Sequence, residues 1–328
     1  MSTSTATTFG WLVKREYWES RRGFLWTPFW AAAVLLILTV LGMIAGEVFN
    51  ARTHGETQVQ FGISLNQMLR GVSSHDMPEL VRGLDMTMLS IAVIAGIVLS
   101  FVLFFYLLGA LYDDRRDRSI LFWKSLPISD TATVLSKAFA AVIVAPLIAT
   151  AIVLVAYLAM QVLISLWLLI HGVNPIPLLW MHIEPFGIWL QLLVAIPVNA
   201  IWALPTVGWL LFCSAAARGK PFLWALLTPV VIGVLNTWVG LLGLPHIAQG
   251  FYWREIFCGA LLSIIPFGWI GAQVGGVGFP IHHGHMFQGL SYESMGRALA
   301  MPQMWIGAAV GIALIAVAIW FRRWRDDA

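Results

Sequence analysis

Apolar residues along this chain gather into long unbroken runs; they neither alternate with polar residues nor keep to one face of a helix. A helix needs about 20 apolar residues to cross roughly 30 Å of hydrocarbon. Runs of that order lie at 25–46, 88–111, 138–165, 188–213, 221–243 and 302–321. The pattern predicts six transmembrane helices forming a single unit over 1–328. A seventh run, 256–275, reads IFCGALLSIIPFGWIGAQVG and is interrupted by Pro266 and several glycines. Hydropathy alone leaves it free to cross or to dip in and return. Pro146, Pro197, Pro205 and Pro229 fall inside spans and are expected to kink them, because proline has no N–H for the preceding turn.

Polar positions define the connections. Residues 8–24, TFGWLVKREYWESRRGF, precede the first span and place Trp11 and Trp18 two turns apart, flanked by Lys14, Arg15, Arg21 and Arg22. That spacing predicts an amphipathic interfacial helix at the headgroup surface. Phe9, Leu12, Val13 and Tyr17 form a second apolar stripe, so contact with protein and contact with lipid both stay open. The polar regions 47–87, 112–137 and 244–301 separate the remaining runs.

Charge orients the bundle. With the N-terminus in the cytoplasm and six spans, Lys14, Arg15, Arg21, Arg22, Arg115, Arg116, Arg118, Lys124, Lys137, Arg218, Lys220, Arg322, Arg323 and Arg325 all face inward. Arg52, Arg70, Arg82, Arg254 and Arg297 face outward. The excess of cytoplasmic Lys and Arg supports that frame. A seventh crossing would carry the FRRWR tail to the wrong side, so 256–275 is expected to be a re-entrant helical hairpin. The fold class is thus all-α and polytopic, in a cell inner (plasma) membrane, with both termini cytoplasmic. Tryptophans at both ends of the predicted spans fit the same frame, while Trp202 and Trp209 within the fourth span are also compatible with core filling.

Composition agrees with this picture and narrows the chemistry. The chain is 59% hydrophobic and 11% charged, with a mean hydropathy of +0.83, which excludes an ordinary soluble enzyme. The net charge is only +3, and no nucleic-acid partner is expected. The polar N-terminus and the length of the first apolar run predict an uncleaved anchor. Cys213 and Cys258 fall near opposite faces and are not expected to form a disulfide. The spans hold essentially no titratable residues at bilayer depth, which argues against ion- or proton-coupled transport. Neither a Walker A loop nor a Gly-x-Ser-x-Gly, His-Glu-x-x-His or paired-aspartate arrangement occurs in them. Any energy for work on a substrate must come from a partner, and the chain itself is expected to be non-catalytic.

Attention therefore turns to LYDDRRDRSILFWKSLPISD, 111–130. Charged residues extend the second span into water, an apolar run from Ile120 to Trp123 follows, Pro127 stops the helix, and Ser129 or Asp130 can cap the next one. A short helix tipped with Phe122, Trp123 and Leu126 suits a groove on a soluble protein, and it equally suits the headgroup layer. Residues 114–129 and Val134-Leu135-Ser136-Lys137 resemble the segment after the second span in type-2 ATP-binding-cassette permeases. There an acidic and basic stretch leads to an apolar Ser-Leu-Pro turn and a lysine that opens the third helix. This chain carries Ser119-Ile120 where that family usually has Gly-Thr. The resemblance implies an exporter permease whose coupling loop, 112–137, docks on a separate cytoplasmic ATPase through Arg115, Arg116, Asp117, Arg118, Phe122, Trp123 and Leu126. It implies a second permease copy or paralogue as partner, with ATP and Mg bound by the ATPase and no cofactor bound directly.

Three further sets of residues carry secondary readings. Gln161, Gln191, Asn199 and Asn236, with Gln273, either line a substrate path or make interhelical hydrogen bonds. His282, His283 and His285 beside Met286 form a candidate metal site, although no carboxylate or cysteine completes it and Gly284 loosens it. The principal alternative to export is a membrane anchor or assembly factor that recruits a cytoplasmic protein; metal handling is a third reading.

Overall fold

The computed structural model describes residues 5–52, 77–117, 128–170, 172, 174–181, 185–273 and 290–324. Among them the chain is almost entirely helical and contains no strand. Six helical stretches are long and apolar enough to cross a membrane: Thr7–Gly46, Leu89–Arg116, Asp130–Ile170, Phe186–Ala216, Pro221–Leu241 and Pro302–Trp324. The protein is an all-α polytopic membrane protein, as the apolar runs predict. Arg118, Phe122, Trp123 and Leu126 of the loop, the histidines His282, His283 and His285, and the greater part of 47–87 lie outside the described residues.

The first span is longer than its apolar run. Helix α1 (Thr5–Arg21) passes through a π-helical turn, Arg22–Trp26, into α2 (Thr27–Arg52). The interfacial helix is therefore continuous with the first span. One stripe of α1 buries Leu12 and Glu16 and sets Phe9 edge-on to Phe139, with ring centroids 5.9 Å apart. The opposite stripe exposes Trp11 and Trp18, with the Lys14 ammonium 4.8 Å from the Trp11 ring and Arg21 5.4 Å from Trp18. Protein contact and an exposed indole stripe thus occupy different faces of one helix.

Helix α3 (Met77–Ala110) forms the second span and breaks at Leu111 before the short α4 (Tyr112–Arg116). The third span opens with α5 (Asp130–Phe139), whose N-terminus Ser129 caps by accepting from the Ala132 N–H at 3.2 Å. It passes a π-helical turn at Ala140–Val144 and continues as α6 (Ala145–Ile170). Helices α7 (Pro185–Ala216) and α8 (Pro221–Leu241) form the fourth and fifth spans, and α13 (Pro302–Trp324) the last. Two apolar clusters fill the bundle. One gathers Ala92, Tyr157, Met160 and Trp269; the other gathers Phe24, Leu107, Val134 and Leu210.

Helices α7 and α13 are held together at glycines. A Cβ on Gly311 would overlap the Leu204 carbonyl oxygen, and one on Gly208 would overlap the Gly311 carbonyl oxygen. Small residues let helix backbones approach this closely. Gly311→Val is expected to cost about 1–3 kcal/mol through overpacking. Gly42→Val, where nothing lies within 4 Å, provides the neutral control. Thermal unfolding of the two variants in detergent checks this, and equal melting would overturn it.

Among its described residues, the seventh apolar run forms no continuous helix long enough to cross. It folds as α9 (Gln249–Phe251), a π-helical turn at Tyr252–Phe257, α10 (Cys258–Leu262), a sharp turn, and α11 (Gly268–Gln273). Thr206 of α7 meets Gly259 and Ser263, while Asn199, two turns back toward Pro185, meets Phe267 and Trp269. The chain therefore reverses direction along α7. Gln273 then donates to the Ser294 carbonyl at 2.8 Å, in α12 (Tyr292–Ala300), which leads into α13. Irregular backbone at this depth needs internal partners, and it has them. The Ser263 N–H donates to Thr206 Oγ1 at 3.1 Å, the Phe267 N–H to Asn199 Oδ1 at 3.1 Å, and Ser100 Oγ to the Ile264 carbonyl at 3.2 Å. Phe267 itself sits at φ +64°, left-handed backbone that is costly for a bulky residue.

Candidate functional site

Five charged residues that are distant in sequence converge at the end of the bundle where α1, α4, α5 and the end of α13 meet. Glu16 is 1% exposed, Lys137 4% and Arg322 5%. A lone charge at such burial would be very costly, so each needs a partner of opposite sign and hydrogen bonds besides. Glu16 Oε2 accepts from the Tyr106 hydroxyl at 2.9 Å and lies 3.4 Å from Lys137 Nζ; its Oε1 lies 2.5 Å from Arg15 Nη2. Lys137 Nζ also lies 3.7 Å from Asp114 Oδ2. Arg322 completes the chain, with Nη1 3.2 Å from Asp114 and Nε 3.1 Å from Asp130. Glu16, Asp114 and Asp130 each meet at least one cation, and Arg15 also reaches Glu19 at 3.3 Å.

Local structure explains why these residues meet. On α5, Asp130, Val134, Lys137 and Ala138 share one side by helical spacing, and Val134, Lys137 and Ala138 are buried together. Glu16 projects from the stripe of α1 that carries Leu12, and Arg322 from the side of α13 that carries Ile315 and Ala318. Asp114 and Asp130 stand at the two roots of the loop, so both roots are bound to the last span through one guanidinium.

A second brace ties the same end of the second span to the fourth. Ser214 Oγ accepts from the Leu111 and Tyr112 N–H groups at 2.9 and 3.0 Å, which satisfies the backbone at the break between α3 and α4. Arg115 Nη2 donates to the Ser214 and Ala217 carbonyls at 2.6 and 3.1 Å. A guanidinium at the C-terminus of α7 is also placed favourably for that helix's dipole.

The residues expected to dock a partner are therefore divided. Arg115 is engaged inside the chain. Arg116 and Asp117 are exposed and pair with each other at 3.1 Å, with Asp113 3.6 Å from Arg116. The polar residues expected to line a path do not come together. Asn236 is bonded in both directions to Ile247, its Nδ2 to the carbonyl at 2.8 Å and its Oδ1 from the N–H at 3.0 Å. Gln161 is buried on α6 and Gln191 is half-buried on α7. Asn199 alone of the four lines a cavity of about 80 Å³ between α3, the third span, α7 and the hairpin turn. Among the described residues no group of three or more His, Cys, Asp or Glu is arranged to hold a metal, and Cys213 and Cys258 are free thiols.

Sequence reading did not identify Glu16, Asp114, Asp130, Lys137 and Arg322 as one unit. The available signal was faint: Glu16 stands within a basic helix on its apolar stripe, and Lys137 directly abuts the third apolar run. No protein family, characterised protein or solved structure matches the chain.

Proposed function

We propose that this chain is the membrane-spanning permease subunit of an ATP-driven exporter, and that the loop 112–137 receives force from a separate cytoplasmic ATPase. The observation that carries this reading is the buried ion network at the loop's roots. Asp114 and Asp130 share Arg322, and Lys137 joins Asp114 to Glu16. A displacement of the loop is thereby passed at once to the first, second, third and last spans. Buried ion pairs give little net stability, but removing one partner is expensive, so such a network resists shear between the elements it joins. The resemblance of 114–137 to type-2 ATP-binding-cassette permeases supports the same reading.

In this mechanism the chain performs no bond chemistry. ATP and Mg are bound by the partner, whose closure carries the loops of two permease copies together. The spans then exchange between two packings that differ in affinity for the cargo. Arg116, Asp117, Arg118, Phe122, Trp123 and Leu126 form the docking surface, and Arg115 holds the loop's root to the fourth span.

The test is purification of the tagged protein in mild detergent. An ATPase is expected to copurify, and Trp123→Ala combined with Arg116→Glu is expected to release it, since a buried tryptophan anchor is worth about 2 kcal/mol or more of association. An ATPase that stays bound to the double variant would show that the loop is not the dock. Recovery of a non-ATPase partner alone would favour the anchor reading.

A further inference from the structure

The cavity beside the hairpin turn has a polar inventory that calls for a particular kind of guest. It is lined by Gly96 and Ser100 of α3, Pro146 and Thr150 of α6, Asn199 of α7 and Pro266 of the turn, with small apolar side chains between them. Asn199 Oδ1 accepts both the Phe267 N–H at 3.1 Å and the Trp269 indole N–H at 2.8 Å. That double acceptance fixes which end of the amide is oxygen. Asn199 Nδ2, with two hydrogens to donate, has no acceptor among the described residues.

The other polar atoms are acceptors. Ser100 has one hydroxyl hydrogen, and its oxygen lies 2.8 Å from the Gly96 carbonyl and 3.2 Å from that of Ile264. Thr150 gives its hydrogen to the Pro146 carbonyl at 2.9 Å. Both hydroxyls have spent their donors and keep oxygen lone pairs. Pro146 has no N–H for the preceding turn, whose Ala141 and Val142 also line the cavity. One wall therefore offers hydrogens and the others offer lone pairs. A guest that both accepts and donates through a single oxygen satisfies both.

The geometry points to a binding site for a neutral, hydroxyl-bearing hydrophobe. Its oxygen accepts from Asn199 Nδ2 and its proton turns toward Ser100 or Thr150. A volume of about 80 Å³ equals roughly three waters at their liquid share. It takes the hydroxyl and the first carbons, and the remaining tail leaves through the open side. A carboxylate or an ammonium is disfavoured, since no charged residue lines the cavity and an unpaired ion at this depth is costly. The inference does not depend on the export reading.

Photolabelling tests it, using the full chain in lipid nanodiscs, a diazirine derivative of octanol as probe, and mass spectrometry to locate the label. Label is expected on residues from 92–103, 141–153 and 264–267. Excess octanol should compete it away and excess octane should not. Ala200→Leu, which narrows the cavity and leaves both Asn199 bonds to the hairpin in place, should cut cavity labelling about five-fold or more; Asn199→Leu, which removes the donors, should do the same. Equal competition by octane, or labelling unchanged by Ala200→Leu, would overturn the site. Label confined to lipid-facing residues would do so as well.

Discussion

Arg322→Met is expected to cost about 3 kcal/mol of stability, the lower end for breaking a buried ion pair, because the guanidinium is buried while the two carboxylates it leaves are part-buried. Arg322 touches both Asp114 and Asp130, and its side chain is only 3% exposed. In its absence Asp114 loses the guanidinium while the longer contact to Lys137 stays, and Asp130 faces an apolar methionine. The loss should be felt locally. Cys213 lies 3% exposed in the same apolar cluster as Ile315 and Ala318, so in a Cys258→Ser background its reaction with a maleimide should accelerate. Adding Asp130→Asn to Arg322→Met should restore part of the loss, because the orphaned charge is then gone. Chemical unfolding in detergent measures the first effect and labelling rate the second. If Arg322→Met melts like the wild type and Cys213 stays protected, the network does not hold this end of the bundle together.

The second large effect belongs to the hairpin. Asn199→Leu removes one oxygen that serves two donors, leaving the Phe267 N–H and the Trp269 indole N–H unpaired inside the protein. At about 1–3 kcal/mol for each unsatisfied group, the expected loss is about 2–6 kcal/mol. Phe267 is already in the left-handed region, so the turn loses the bond that helps to hold a strained residue in place. The damage should appear at Cys258, which is half-buried at the start of α10, while Cys213 stays protected. Asn199→Gln keeps a neutral acceptor oxygen on the same side chain and should lose less. Enhanced labelling of Cys213 rather than Cys258 would show that Asn199 supports the bundle as a whole and not the hairpin.

These expectations also mark what could be read from one sequence. Six spans were legible because hydrocarbon thickness sets a length that apolar runs must meet, a one-dimensional property. The hairpin was legible from charge, since a seventh crossing would put the FRRWR tail on the wrong side, and Pro266 with its neighbouring glycines agreed with it. Ser129 as a helix cap was legible because capping is a contact within four residues. The ion network was not legible. Residues 16, 114, 130, 137 and 322 meet only after four helices have packed, and in isolation each looks like an ordinary charge near a membrane surface. The bonds of Arg115 within the chain were hidden for the same reason, because a cation in a basic loop looks solvated until the carbonyls of Ser214 and Ala217 are seen to receive it. The continuity of α1 with α2 was hidden by the polar stretch between them, where composition changes and backbone conformation hardly does.

The π-helical turn at Ala140–Val144 has a consequence of its own. Each residue of an ordinary helix advances the azimuth by roughly 100°, and a π-helical turn holds one residue more than an ordinary one. Regularising this turn to α-helical geometry with every residue kept would swivel one half of the rod against the other by about that angle. Lys137 below and Ala149 with Val153 above could not then both keep their bearings. The surplus residue acts as a phase shifter, letting one continuous rod aim its electrostatic end and its cavity wall independently.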